Sequence, residues 1–192
     1  GDARVTGTTA SLAGIEAGDP GGEYRDVLAY ALALSTGGIP LLYLGDEVAQ
    51  LNDYYYRDRP AEAGDSRWVN RPFRPEVAYA ARHDPATTAG RVFSRLHRLL
   101  QVRSETPELG GNDLIPFRTP HPSVLAFQRP GSGGVVLVLA NFGDDPVRVD
   151  APTLSGFAPE AVDLVADEAL GLADGVALAP HAFLWLRVVP VP

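Results

Sequence analysis

The 192-residue sequence has no cysteine, no methionine and no lysine. Without cysteine there can be no disulfide and no thiolate metal site, while the compartment stays open. All 16 cations are arginine, which is read as base composition rather than function. No apolar run approaches the roughly 18 residues of a membrane span, and no basic-then-apolar leader opens the chain. The reading is a soluble piece whose natural start lies upstream, with no membrane partner. The net charge is −8, and no block of cations is present, which argues against nucleic acid. A neutral, sugar-like substrate is indifferent to that charge. His83, His97, His121 and His181 have no metal-ligand spacing, so no metal is expected. There is no P-loop, GxGxxG fingerprint or GxSxG elbow, and no cofactor is expected.

Apolar material is ample, at 45% of residues. "EYRDVLAYALALSTGG" has helical spacing at Val27, Leu28, Ala31 and Leu34, with Gly37-Gly38 as a stop. "IPLLYLGDE" follows at once. This run is short and does not alternate, so it predicts a strand covered on both faces, as in parallel sheets. Ligands in such folds meet the carboxyl ends of strands, which is where Asp46 and Glu47 stand. From Val48 to Pro85 the chain is irregular and dense in Tyr, Trp, Arg and Asp, the mark of a functional loop. "TTAGRVFSRLHRLLQVRSE" is the clearest helix, with Thr87 or Thr88 as cap, Val92, Phe93, Leu96, Leu99 and Leu100 on its apolar face, and Pro107 as stop. Arg91, Arg95, Arg98 and Arg103 lie mostly off that face.

From Gly110 the pattern is short and β-rich: "LIPFR", "SVLAFQR", "GVVLVLANF", "PVRVDA", "EAVDLV" and "FLWLRVV", with "RPGSGGV" as a hairpin loop. The fold class is therefore α/β plus all-β. Residues 1–109 read as the closing part of a larger α/β domain, and residues 110–192 as an antiparallel sandwich.

Asp46 and Glu47 are an acid pair. On a strand, however, neighbours point to opposite faces, so hydrogen bonding of the loop backbone is the preferred reading. In "GDSRW", Arg67 offers a planar fork for a carboxylate or for sugar hydroxyls, and Trp68 offers an apolar wall. On composition alone the preferred reading is a salt bridge that pins the loop, with Trp68 in the core. Arg4 stands among small residues that permit close backbone approach, and from the residues alone a solvated arginine is its default reading. Tyr54, Tyr55 and Tyr56 cannot all face one way, so at most two belong to a stacking platform.

"RVTGTTASLAGIE", "YALALSTGGIPLLYLGDEVAQLND", "DSRWVNRP", "RHDPATTAG" and "LHRLLQVRSETP" occur in order. Together they resemble the carboxyl-terminal third of amylosucrases, in the α-amylase superfamily (glycoside hydrolase family 13). The resemblance implies that Ile39–Leu44 is the eighth strand of a (β/α)8 TIM barrel, followed by a loop, the eighth helix and a C-terminal β-sandwich. It implies transfer of glucose from sucrose to an α-1,4-glucan with release of fructose and retention of configuration. Retention uses two carboxylates about 5 Å apart. In the family these residues, with a third Asp, come from strands upstream of Gly1, so no catalytic residue is assigned here and the chain alone is expected to be inactive without the rest of the barrel. Arg67 matches an arginine that pairs with an Asp of an early barrel loop, absent from this sequence, to close the floor of the glucosyl pocket, and Arg4 matches one on the fructosyl and acceptor side. The run "LNDYYYRD", and Asn70 where His is common, depart from the family. They leave the acceptor open between glucan, water and fructose, so sucrose hydrolysis or isomerisation is the alternative. A further alternative is a non-catalytic remnant or glucan-binding module.

Overall fold

The computed structural model describes residues 6–191. The chain divides into two units, one holding residues up to Val27 and Leu41–His97, the other holding Leu28–Pro40 and residues from Arg98 onward. Two long helices run through both stretches: α2 (Gly22–Ser35) and α4 (Thr88–Glu105).

In the first unit, α1 (Thr9–Leu12) is capped by Thr8, whose hydroxyl accepts from the Ser11 N–H. Short 3-10 turns at Asp46–Val48, Tyr54–Asp58 and Ser66–Asn70 and the helix α3 (Glu76–Ala80) order much of the stretch that the sequence leaves irregular. α4 starts where the Gly90 N–H donates to the Thr87 hydroxyl at 3.0 Å, so Thr87 is its cap. Its buried stripe is Val92, Leu96, Leu99 and Val102, while Leu100 lies toward solvent.

The apolar run after α2 departs from expectation. Ile39–Leu44 is in no strand, and Ile39, Leu41, Tyr43 and Leu44 are exposed, Ile39 fully. A strand exists by virtue of a neighbouring backbone that takes up its N–H and C=O groups. Among the described residues none pairs with this run, so its composition alone does not make it a strand.

The second unit is all antiparallel in its pairing. A six-stranded sheet has the order β1-β2-β3-β8-β5-β6, with β1 at Ile115–Pro116, β2 at Val124–Gly131, β3 at Gly134–Asn141, β5 at Glu160–Asp163, β6 at Glu168–Gly171 and β8 at Phe183–Val188. A two-stranded sheet pairs β4 (Val147–Val149) with β7 (Val176–Leu178). The β2–β3 hairpin closes at Gly131 opposite Gly134, with Gly134 at φ +124°, which explains the glycines of "RPGSGGV". The sandwich core lies between the sheets: Val124, Ala126, Leu137, Leu139, Leu186 and Val188 meet Val149, Val176 and Leu178, with Leu154 and Phe157. Residues alternate across a strand, so Phe127, Val138 and Trp185, matched across β2, β3 and β8, point to the opposite face. Those three are buried as well, which makes β3 apolar on both sides. On that face the short helix α5 (Pro107–Gly110) packs against β2 and β3.

Candidate functional site

The first unit gathers several of the segments singled out above. The Thr8 N–H donates to Asn52 Oδ1 at 2.8 Å, and the Asn52 N–H donates to the Ser11 hydroxyl at 2.9 Å. The Asn52 amide and the Tyr54 hydroxyl both donate to Glu16 Oε2, at 3.3 and 3.0 Å. One residue on, the Asp53 N–H donates to the Val69 carbonyl at 2.8 Å. The segments "TGTTASLAGIE", "LNDYYYRD" and "DSRWVN" thus converge.

Arg67 sits in the 3-10 turn Ser66–Asn70, which Asp65 caps by accepting from the Arg67 N–H at 3.0 Å. The same carboxylate accepts from the Arg67 guanidinium at 2.6 to 2.9 Å. These hydrogen bonds hold the Asp65 carboxyl at about 2, below its ordinary 3.8. The Arg67 side chain remains half exposed. Trp68 is half-buried, and the Arg71 guanidinium lies 5.6 Å from its ring centroid. Arg59 reinforces the loop: it pairs with Asp53 at 2.5 Å and with Glu62, and lies 5.1 Å over the Phe73 ring. Of the three tyrosines, Tyr54 and Tyr55 are exposed and Tyr56 is buried. Arg4 lies outside the described residues.

The acid pair serves the loop backbone. Asp46 Oδ2 accepts from the Tyr43 N–H at 3.1 Å, and Glu47 Oε2 from the Gly45 N–H at 2.9 Å. Both acids lie in a 3-10 turn rather than on a strand. Glu47 also accepts from the Tyr79 hydroxyl. Burial and that bond push the Tyr79 phenol up to about 12. Among the described residues no group of three or more His, Asp or Glu could hold a metal ion, and no helix is long and apolar enough to cross a membrane.

Asp65 as the partner of Arg67 is the feature that residue patterns left open. The signal was local: an Asp followed by a polar residue at a turn start is a capping pattern, and it places the carboxylate within reach two residues on.

Comparison with known proteins agrees with this architecture. Residues 115–187 match the family model described as amylosucrase, C-terminal domain. The glucosylglycerate phosphorylase of Escherichia coli is 26% identical over 165 residues, covering 85% of this chain and 28% of that protein. An Anoxybacillus α-amylase structure superposes with a TM-score of 0.65 at 18% identity, over 97% of this chain and 36% of that one. An isomaltulose synthase from Klebsiella does so with a TM-score of 0.57 at 16% identity, over 85% of this chain and 38% of that one. The chain therefore spans between about a quarter and two-fifths of the length of these relatives. At such identities the structural likeness shows the fold. Residues 115–187 are thus similar to the amylosucrase C-terminal domain, and the chain shares the fold of the corresponding part of these α-amylase and isomaltulose synthase structures.

Proposed function

We propose that the chain belongs to a retaining transglucosidase of amylosucrase type, which transfers the glucosyl group of sucrose to an α-1,4-glucan and releases fructose. Residues 1–109 then supply the closing part of the barrel and its substrate loop, and residues 110–192 the C-terminal domain. The observation that carries this reading is the match of residues 115–187 to the amylosucrase C-terminal domain, downstream of an ordered string of amylosucrase-like motifs in the same chain. In this reading Arg67 borders the glucosyl pocket, with Asp65 fixing its orientation, and Arg4 lies on the fructosyl and acceptor side. The nucleophile and the acid/base carboxylate come from barrel strands outside this sequence.

The test is to incubate sucrose with the full-length protein and, separately, with the 192-residue chain. Full-length protein is expected to release fructose and build glucan, and the chain alone to release none. Arg67→Ala in the full-length protein is expected to lower kcat/KM for sucrose about a hundredfold, the effect of removing a charged hydrogen bond to substrate. Full-length protein that leaves sucrose untouched overturns the reading.

A second reading keeps the scaffold and changes the acceptor to water or fructose. It is favoured by "LNDYYYRD", which places Tyr54 and Tyr55 at the surface where the family has an acidic run. The product profile on sucrose alone separates the two: glucan for transfer, glucose or an isomeric disaccharide for the alternative.

A further inference from the structure

The last turn of α2 contains no basic residue, yet its exit is surrounded by guanidinium groups supplied from elsewhere in the second unit. Arg103, in the final turn of α4, donates to the carbonyls of Leu34, of Gly38 at 2.7 Å and of Leu109 at 2.7 Å. Arg129, in the middle of β2, donates to the carbonyls of Thr36 at 3.0 Å, Glu108 at 3.3 Å and Gly111. Each arginine thus bridges the turn that leaves α2 and the segment around α5. The carbonyls taken on the α2 side are alternate ones, 34, 36 and 38. A helix end presents unsatisfied carbonyls and the negative end of the macrodipole, which favours a cation.

The arrangement is costly, so a specific geometry has to repay it. Arg129 is fully buried, and among the described residues neither arginine is ion-paired with a carboxylate. Burial lowers the pKa of both, and Arg103 lowers that of Arg129 further. A Met or Leu on β2 would fill the space without desolvating a charge. The fit leaves no slack at Gly37, whose φ is +94°: a Cβ there would lie 2.3 Å from the Gly111 carbonyl oxygen and 2.8 Å from the Arg129 guanidinium.

The geometry points to Arg103 and Arg129 as a paired latch through which the β-rich part of the second unit fixes the exit of α2 as far as Gly38. The two arginines are positioning residues. Lysine cannot replace either, because a single ammonium does not reach three carbonyls spread across two segments. This inference does not rest on the sucrose reading and is tested apart from it.

Hydrogen exchange on the chain itself provides the test. In Arg103→Lys and Arg129→Lys, the helix-end amides of Leu34, Ser35 and Thr36 are expected to exchange about tenfold faster or more, while the amides of β3 and β8 keep their protection. Gly37→Ala reaches the same latch from its other side and is expected to give the same pattern, with faster proteolysis within residues 39–44. If Arg129→Lys does not fold, Arg103→Lys and Gly37→Ala decide. Unchanged exchange at 34–36 in the folded variants overturns the proposal. So does an equal rise across β3 and β8, which would mark the arginines as ordinary contributors to global stability.

Discussion

The Arg67 guanidinium is held by the carboxylate two residues before it, with Nε 2.9 Å from both Asp65 oxygens and Nη2 2.6 Å from Oδ2. The pairing sets a sign for pH dependence. The Asp65 carboxyl titrates at about 2 in the fold against 3.8 ordinarily, so the folded state favours its charged form. The stabilisation is present above the ordinary value and is lost as pH falls through about 2. Its size is small because the pair is solvent-screened. Asp65→Asn is expected to melt with wild type near pH 2 and slightly below it near neutrality, as read by circular dichroism.

Asp26 carries the opposite sign. It is buried on α2, and neither carboxylate oxygen has a hydrogen-bond partner among the described residues. Burial, then the charges of Asp46 and Glu23, push its carboxyl up to about 7. Between 3.8 and about 7 the unfolded chain has given up this proton and the folded chain keeps it, so stability falls as pH rises through that window and levels off above it. The full effect is on the order of 4 kcal/mol. Asp26→Asn removes the slope. Urea unfolding of both proteins across the window is expected to show the variant gaining on wild type as pH rises.

Gly90 tests packing against propensity. Within a helix, Gly→Ala ordinarily stabilises by about 1 kcal/mol. Here the added methyl would lie 1.9 Å from the Asp84 carbonyl oxygen, a backbone atom. Gly90→Ala is therefore expected to destabilise by about 1–3 kcal/mol. Gly110→Ala in α5, with nothing within 4 Å, is expected to be tolerated. Thermal denaturation distinguishes the two.

The sandwich core supplies the scale for these effects. Leu139, fully buried between the sheets, is expected to cost about 2–5 kcal/mol on replacement by Ala. The more exposed Val162 on β5 is expected to change stability by no more than about 0.5 kcal/mol. Denaturant midpoints at constant m-value check both.

The elements legible from residues alone were those whose periodicity reflects local burial. The stripe Val92, Leu96 and Leu99, the Gly37-Gly38 stop and the β2–β3 hairpin with its glycine turn all follow from side chains within a few positions of one another. β6 (Glu168–Gly171) and β7 (Val176–Leu178) were not anticipated, because both are short and β7 leans on β4, a pairing partner distant in sequence. Ile39–Leu44 failed in the opposite sense. Its composition is that of a covered strand, but a strand is a relation between backbones, and sequence carries only one of them. Arg103 read as an outward charge because its helical position is polar. Its guanidinium instead returns to the carbonyls at the end of another helix, which no helical wheel reveals. Arg67 was legible as a planar donor group in a loop, and its immediate partner was readable only as one of two alternatives.

The bare run from Ile39 to Leu44 also governs how this chain behaves in a test tube. Greasy side chains on a segment that no strand pairs among the described residues are an adhesive, and each copy presents the same one. Purified by itself, the polypeptide will tend to stick to its own kind as it is concentrated. A lysine in place of Ile39 or Leu41 would make it easier to handle without touching any buried contact.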